Sequence, residues 1–313
     1  MFVALRDLRF ARGRFALMGA VVVLITVLVG LLSGLTAGLS RESTSAITGL
    51  RVDYLAFSTS ADNTGASFSG SSFSAADKAS WVDREGVEAV SPIGLSPGRA
   101  TNAGRAATVT VVGVEPGSRV IAGGAGVSAG AVVMSEPAAK DLSLSVGDQV
   151  SISGRDFRVV AVDGDASFSH TPVAWIDIKD WHDLGTGGST ATVLGLETGA
   201  RFETEHDGAA VLTPSESVQA IGSYTAENGS LQMIRGFLFA ISALVIGAFF
   251  TVWTIQRSGD IAVLKALGAS NAYLLRDALG QAVLLLVGGT GIGAGMPSCS
   301  VPSPVDRSPS SST

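Results

Sequence analysis

The sequence predicts an α+β membrane protein: an N-terminal interfacial helix, several transmembrane helices, and a mixed α+β extracytoplasmic domain inserted between helix 1 and helix 2. Three observations predict it. Mean hydropathy is +0.41 with only 15% charged residues, against about a quarter charged in an ordinary soluble domain. Three apolar runs, at 16–39, 236–255 and 278–296, each approach the roughly 20 residues that cross a hydrocarbon core of about 30 Å. Between the first two lies a long polar stretch of short β-branched runs broken by Gly and Pro, the pattern of a strand-rich domain with some helix.

Composition also excludes several functions. The formal net charge is -6, which argues against nucleic acid as a partner. The single cysteine, Cys299, excludes an intrachain disulfide framework and a Cys-based zinc site. The three histidines, His170, His182 and His206, do not fall in an HExxH spacing, and no GxxxxGK[ST] loop is present to hold ATP. No triad, carboxylate pair or metal cluster marks an enzyme.

Residues 1–15 form a basic leader. Arg6, Arg9, Arg12 and Arg14 stand against Asp7, and Phe2, Leu5, Leu8 and Phe15 recur near helical spacing, which reads as an amphipathic helix in the membrane interface. The uncharged run 16–39 is longer than the 7–15 residues of a signal-peptide apolar region, so it reads as an uncleaved membrane helix. The arginines before it place the N-terminus in the cytoplasm. Residues 40–230 carry 12 Lys+Arg and 23 Asp+Glu, whereas the rest of the chain carries 9 and 4. That asymmetry puts 40–230 outside the membrane.

Within this domain, the Ser- and Gly-rich stretch Asp62–Ser74 reads as a mobile loop. Ala75–Glu85 reads as a helix capped by Ser74, with Asp77 in its first turn. Strands are expected at Ala107–Val114, Ala131–Met134, Gln149–Ser153, Phe157–Val162, Val173–Ile178 and Thr192–Leu196, with a helix at Ser135–Leu142 and a hairpin turn at Gly154–Asp156. Val218, Ile221 and Tyr224, three apart, suggest that Pro214–Ser230 is a helical stalk leading into membrane helix 2 at 231–255. His170, in SFSHTP, reads as a structural loop histidine, and Trp175 and Trp181 read as core. Gly236, Ala240, Ala243 and Gly247 fall at helical intervals, suited equally to a close helix contact or to lipid.

In and beside the link 256–276, Arg257, Lys265 and Arg276 stand against Asp260 and Asp277, a small positive excess that puts the link in the cytoplasm. Ile261, Leu264 and Leu267 fall on one helical face, and Gly268 is placed to end the helix in a left-handed cap. Membrane helix 3 follows at 277–296. Residues 297–313 are dominated by Ser and Pro and read as disordered. Their abrupt onset, after the Gly-rich stretch 288–295, reads as an interrupted frame.

The run Arg257, Asp260, Ile261, Leu264, Lys265, Ala266, Leu267, Gly268, Ala269 and Ser270 resembles the R-x-x-[ED]-I-x-x-L-[KR]-A-L-G-A-S segment of FtsX-like, MacB-type ABC transporter permeases. Leu144–Asp165 is similar to the Gly-Asp-then-hairpin segment of that family's periplasmic core domain. The actinobacterial subgroup, with haem- and antimicrobial-peptide-exporter-like members, is the nearest in character. The resemblance implies four membrane helices, a homodimer in membrane lipid, and a separate cytoplasmic ABC ATPase subunit that holds the ATP, with no cofactor on this chain. It implies that Arg257–Ala269 is the coupling helix that contacts that ATPase. The function implied is export of a hydrophobic or amphipathic substrate. The alternatives are a non-transporting regulator that transmits ATP state to an extracellular cell-wall enzyme, or a membrane-anchored sensor. The fourth helix is not seen before the tail. For a haem cargo, Met18, Tyr224 and Met233 are ligands by residue type only.

Overall fold

In the computed structural model the described residues are 12–59, 65–121, 126–185, 189–256, 258–268, 270, 272, 276, 280, 283 and 286–292. The elements run α1 (Arg12–Thr48), β1 (Tyr54–Ser58), α2 (Ala75–Val82), β2 (Val87–Asn102), β3 (Arg105–Val114), β4 (Ala131–Met134), α3 (Glu136–Leu142), β5 (Gln149–Ile152), β6 (Arg155–Val162), β7 (Ser167–Phe168), β8 (Thr171–Asp177), α4 (Ile178–Asp183), β9 (Val193–Thr198), β10 (Glu205–His206), β11 (Ala209–Leu212), α5 (Gly222–Gln256) and α6 (Ser258–Ala266). They fall into two compact units, Ala37–Gly229 and the remainder.

The strand β2 organises the first unit. Its first half, from Val87 to Ile93, pairs antiparallel with β9, and its second half, from Gly94 to Asn102, pairs antiparallel with β3. One sheet runs β10-β11-β1-β9-β2, and from β2 the order continues β3-β8-β4-β6-β5. β5 returns to pair with β2 at Ala100↔Ile152 and Thr101↔Ser151, so the second set closes on itself as a small barrel. β3–β8 and β4–β6 are parallel and the other rungs antiparallel.

Both faces of the barrel strands are buried. Val109 and Val111 join one core cluster with Val132, Met134, Ala174 and Ile176, while Val112, Val114, Val133, Val173 and Trp175 join another. Successive side chains on a strand point to opposite faces, and a strand covered on both sides reads as a continuous apolar run. The expected strands at 107–114, 131–134 and 173–178 are such runs. β8 ends one residue early, because Asp177 caps α4 by accepting a hydrogen bond from Lys179 N at 3.0 Å.

β1, β2, β7, β10 and β11 went unread in the sequence. β2 was masked by Pro92, Pro97, Gly94 and Gly98. Proline is tolerated in a strand where its ring nitrogen faces no ladder partner. β3 pairing begins at Gly94, β9 pairing ends at Ile93 and β5 pairing begins at Ala100. Pro92 and Pro97 therefore each lie where β2 has one strand neighbour among the described residues.

The Ser- and Gly-rich stretch is packed where it is described, contrary to the mobile loop expected. Phe68 and Phe73 are buried. The Phe68 ring meets Phe57 and Phe168 edge-on at 4.9 and 5.2 Å. Ser71 Oγ donates to Thr192 O at 2.7 Å and accepts from Ser58 N at 2.9 Å. Apolar anchors and β-bridging override a loop-like composition here; residues 60–64 lie outside the described set. α2 has the expected Ser74 cap, and Asp77 completes a capping box with it, but the helix ends at Val82. The hairpin turn sits at Ser153–Gly154, φ 51° and 86°, rather than Gly154–Asp156, because a two-residue turn of this hand matches the strand twist.

The stalk is also shorter than expected. Ser217–Ala220 is a 3-10 turn, Ile221 is extended and buried, and the α-helix begins at Gly222. Burial of Ile221 breaks the helical run there, and Thr225 Oγ1 takes the Gln219 carbonyl at 2.9 Å.

α1 continues unbroken past residue 39, and the spans Gly19–Thr48 and Gly222–Gln256, parts of which belong to the other unit, are long and apolar enough to cross a membrane. Leu24, Leu28, Leu31 and Leu35 of α1 are all exposed, an apolar face suited to lipid. Val21, Val22, Ile246, Phe249 and Leu286 line a small apolar cavity of about 20 Å³. A Cβ on Gly289 would lie 2.6 Å from Val22 Cγ1. Gly236, Ala240, Ala243 and Gly247 are exposed, so this small-residue stripe is not a packed contact among the described residues. The leader at 1–11, most of membrane helix 3 and the tail lie outside the described residues.

Candidate functional site

Two places hold the residues singled out by sequence. The first is α6. Its backbone closes with Leu267 N donating to Val263 O at 3.0 Å and Gly268 N to Lys265 O at 3.1 Å. Gly268 then takes φ +92°, the left-handed conformation that glycine adopts with least strain. Val263 and Leu267 are 61% and 80% exposed. Four apart, they share one face. Ile261 is half-buried, and Lys265 and Ala266 are exposed. Asp260 and Leu264 lie within the helix but their side chains are outside the described set, as are Arg257 and Ala269 altogether. Val263, which was not among the apolar-face residues read from the sequence (Ile261, Leu264 and Leu267), is also exposed.

The second place is the turn between β7 and β8. Ser169 and His170 both have positive φ, 51° and 62°, a conformation that costs L-residues roughly 1–2 kcal/mol each. Such strain persists where the surroundings over-determine it. Here they do. Ser169 N donates to Ser43 O at 3.0 Å. Ser169 Oγ lies 2.7 Å from Ser223 Oγ. His170 Nε2 lies 2.7 Å from Glu227 Oε2 and 3.1 Å from Ser43 Oγ, and Nδ1 lies 3.8 Å from Glu42 Oε2. Ser45 Oγ accepts from Ser167 N at 2.9 Å. Arg41 pairs with Asp165 at 2.6 Å.

Beside this turn a cavity of about 220 Å³ is lined by Ser45, Ala46, Val133, Asp163, Asp165 and Trp175, among others. Trp175 and Trp181 are core, as expected. Tyr224 packs against the core cluster and Met233 is 65% exposed, while the Met18 side chain is outside the described set. Among the described residues no group of three His, Cys, Asp or Glu side chains could hold a metal ion.

One histidine is electrostatically unusual. His206 packs edge-on against Trp81 at 5.0 Å, and its Nε2 is buried with no hydrogen-bond partner among the described residues. Burial, reinforced by the Arg84 charge, holds it below the usual histidine range.

Comparison with known proteins bears on both units. Residues 15–221 match the family model of the MacB-like periplasmic core domain, and residues 233–296 match that of the FtsX-like permease C-terminal region. Candidate hemin transport system permease proteins HrtB from two Staphylococcus epidermidis strains are 28% identical over 152 residues, 48% of this chain and 43% of theirs. One from Staphylococcus haemolyticus is 29% identical over 145 residues, 45% of this chain and 41% of its own. The matches thus span less than half the length of these relatives. The periplasmic region of MacB from Actinobacillus actinomycetemcomitans is similar at 15% identity and a TM-score of 0.40, covering 56% of this chain and 95% of that one.

Proposed function

We propose that this chain, which belongs to the MacB/FtsX-type family of ABC transporter permeases, is the subunit through which a separate cytoplasmic ATPase moves an extracytoplasmic domain. The observation that carries the reading is α6. A short helix with exposed Val263 and Leu267 lies inside the match to the FtsX-like region. Its apolar face, with Asp260 and Lys265 beside it in sequence, suits the groove of a partner protein. ATP binds on that partner.

In this reading 16–39, 231–255 and 277–296 cross the membrane, the N-terminus and α6 are cytoplasmic, and the barrel unit is outside. Two copies of the chain work together. The cargo is hydrophobic or amphipathic. The staphylococcal relatives bear the name of hemin transport permeases, which favours transport over regulation of a cell-wall enzyme and makes hemin the first cargo to try. The cavity beside Trp175 is a candidate place for an apolar part of the cargo.

Co-purification of the cognate ATPase with the tagged chain tests the reading. Replacing Leu264 and Leu267 with Glu is expected to abolish co-purification while membrane insertion is unchanged. Undiminished recovery of the ATPase overturns α6 as its docking element.

A further inference from the structure

We propose that the β7–β8 turn is a clasp that fixes the register of α1 and α5 against the barrel, with His170 as its fork. One imidazole nitrogen reaches both helices: Ser43 Oγ of α1 at 3.1 Å and Glu227 Oε2 of α5 at 2.7 Å. The preceding residue does the same, through Ser43 O at 3.0 Å and Ser223 Oγ at 2.7 Å. Two adjacent residues therefore each hold two helices whose contact points are about 180 residues apart in the chain, from Ser43 to Ser223 and Glu227. Both turn residues adopt left-handed backbone without being glycine. That strain is tolerated only where several bonds impose it.

The observed register gives His170 both a hydroxyl on α1 and a carboxylate on α5, and whole-turn slips lose at least one of them. Sliding a helix by one turn moves it about 5.4 Å and brings the residue four positions away to the same place. For Ser43 those neighbours are Leu39 and Ile47, which offer His170 no side-chain hydrogen bond. For Glu227 they are Ser223, which Ser169 already holds, and Leu231. A four-residue slip of α1 in either direction, or of α5 towards Leu231, leaves the imidazole facing an alkyl side chain, while a slip of α5 towards Ser223 replaces a carboxylate with a hydroxyl and breaks the Ser169–Ser223 bond. The compact unit includes both helix ends up to the clasp, beginning at Ala37 and closing at Gly229. Glycines stand near these limits, Gly34 and Gly38 on α1 and Gly229 on α5, with nothing within 4 Å of a Cβ placed on any of them. The clasp stands on its own geometry, whatever the cargo.

Hydrogen exchange on the full chain in lipid nanodiscs tests this, because backbone amides exchange through local opening. His170→Ala is expected to speed exchange in both 40–47 and 223–229 by about fivefold, the effect of losing one ordinary net hydrogen bond. Ser43→Ala is expected to loosen only the first segment, and Glu227→Ala only the second. A His170→Ala protein in which either segment is unchanged overturns the clasp. So does a Ser43→Ala protein that loosens both. If His170→Ala also speeds exchange in β3, the fold itself is damaged; His170→Gln, which keeps an amide donor at similar reach, must then protect both segments, and its failure to do so equally overturns the clasp.

Discussion

Gly94 and Gly113 stand opposite each other in the β2–β3 ladder, and the Trp181 side chain covers both. A Cβ on Gly94 would lie 2.4 Å from Trp181 Cδ2, and one on Gly113 would lie 2.6 Å from Trp181 Cβ. The indole cannot swing away cheaply, because its Nε1 donates to Ser96 Oγ at 3.0 Å. Gly94→Ala or Gly113→Ala is therefore expected to cost about 2 kcal/mol through overpacking. Thermal melting of the purified chain measures it. Gly94→Ala combined with Trp181→Leu should cost clearly less than the two changes summed, since they share one contact.

Acid should destabilise the outer unit in two steps. His206 titrates below its ordinary value near 6.5 because it is buried beside Arg84. The unfolded chain then binds the proton that the folded chain refuses, so stability falls as pH drops below about 6.5. Asp77 and Glu216 are held below the usual carboxylate range by hydrogen bonds from Ser74 and Thr213. Their contribution is present above pH ~4 and is lost as pH falls through their lowered values. His206→Phe should remove the upper step and leave the lower. A melting temperature that still falls between pH 7 and 5 in that variant would contradict the assignment.

Asp180 and Arg155 should respond unequally to truncation. Asp180 is buried, accepts from Gly130 N at 2.7 Å and pairs with Arg155 at 2.7 Å, whereas Arg155 is half-exposed and also reaches Asp183. Asp180→Ala strands a backbone donor and should cost about 2 kcal/mol. Asp180→Asn, which keeps an oxygen acceptor, should cost less. Arg155→Ala, which removes half-exposed ion pairs, should cost less than Asp180→Ala; chemical denaturation of the three variants ranks them.

Phe73→Ala should destabilise the outer unit by about 3 kcal/mol, as expected for emptying a buried aromatic site. A mobile loop would show almost no effect. Proteolysis of the 65–74 stretch should become faster in the variant, and an unchanged cleavage rate would mean that Phe73 is not what anchors it.

Val263→Asp should weaken recovery of the partner ATPase by roughly tenfold, the loss of one interface contact worth about 1.4 kcal/mol. Ala262→Asp, adjacent on the same helix, provides a comparison for face specificity. Equal losses for both would point to a general disturbance of α6 rather than a docking face.

Much of the fold was legible because barrel strands such as β3 and β4 are apolar on both faces and stand out as unbroken runs. Ser74 and Asp77 announced α2 by their spacing alone, and Gly268 announced the end of α6. β2 was not legible, because Pro92 and Pro97 signal a break unless the pairing on either side is known. Phe68 and Phe73 were hidden for the opposite reason: two anchors in a Ser- and Gly-rich stretch leave no periodicity. His170 was read as structural, which its bonds to Ser43 and Glu227 bear out, but its two-helix reach depends on residues far apart in the chain. The residues proposed to contact the ATPase stand out in the sequence only as a motif.

β1 has no sequence-near strand with which to pair. Leu55 lies between Gly195 and Leu212, so the strand stays unmatched until synthesis has passed β9, and its far edge until β11 is made. Long-range pairing of this kind is slow because loop closure precedes any reward. Leu55, Ala56 and Phe57, fully buried once folded, are meanwhile an uncovered apolar edge open to association with other chains. Assembly of the outer unit is thus a race between delivery of residues 193–212 and aggregation through β1, one that slow elongation or a destabilised β9 would lose.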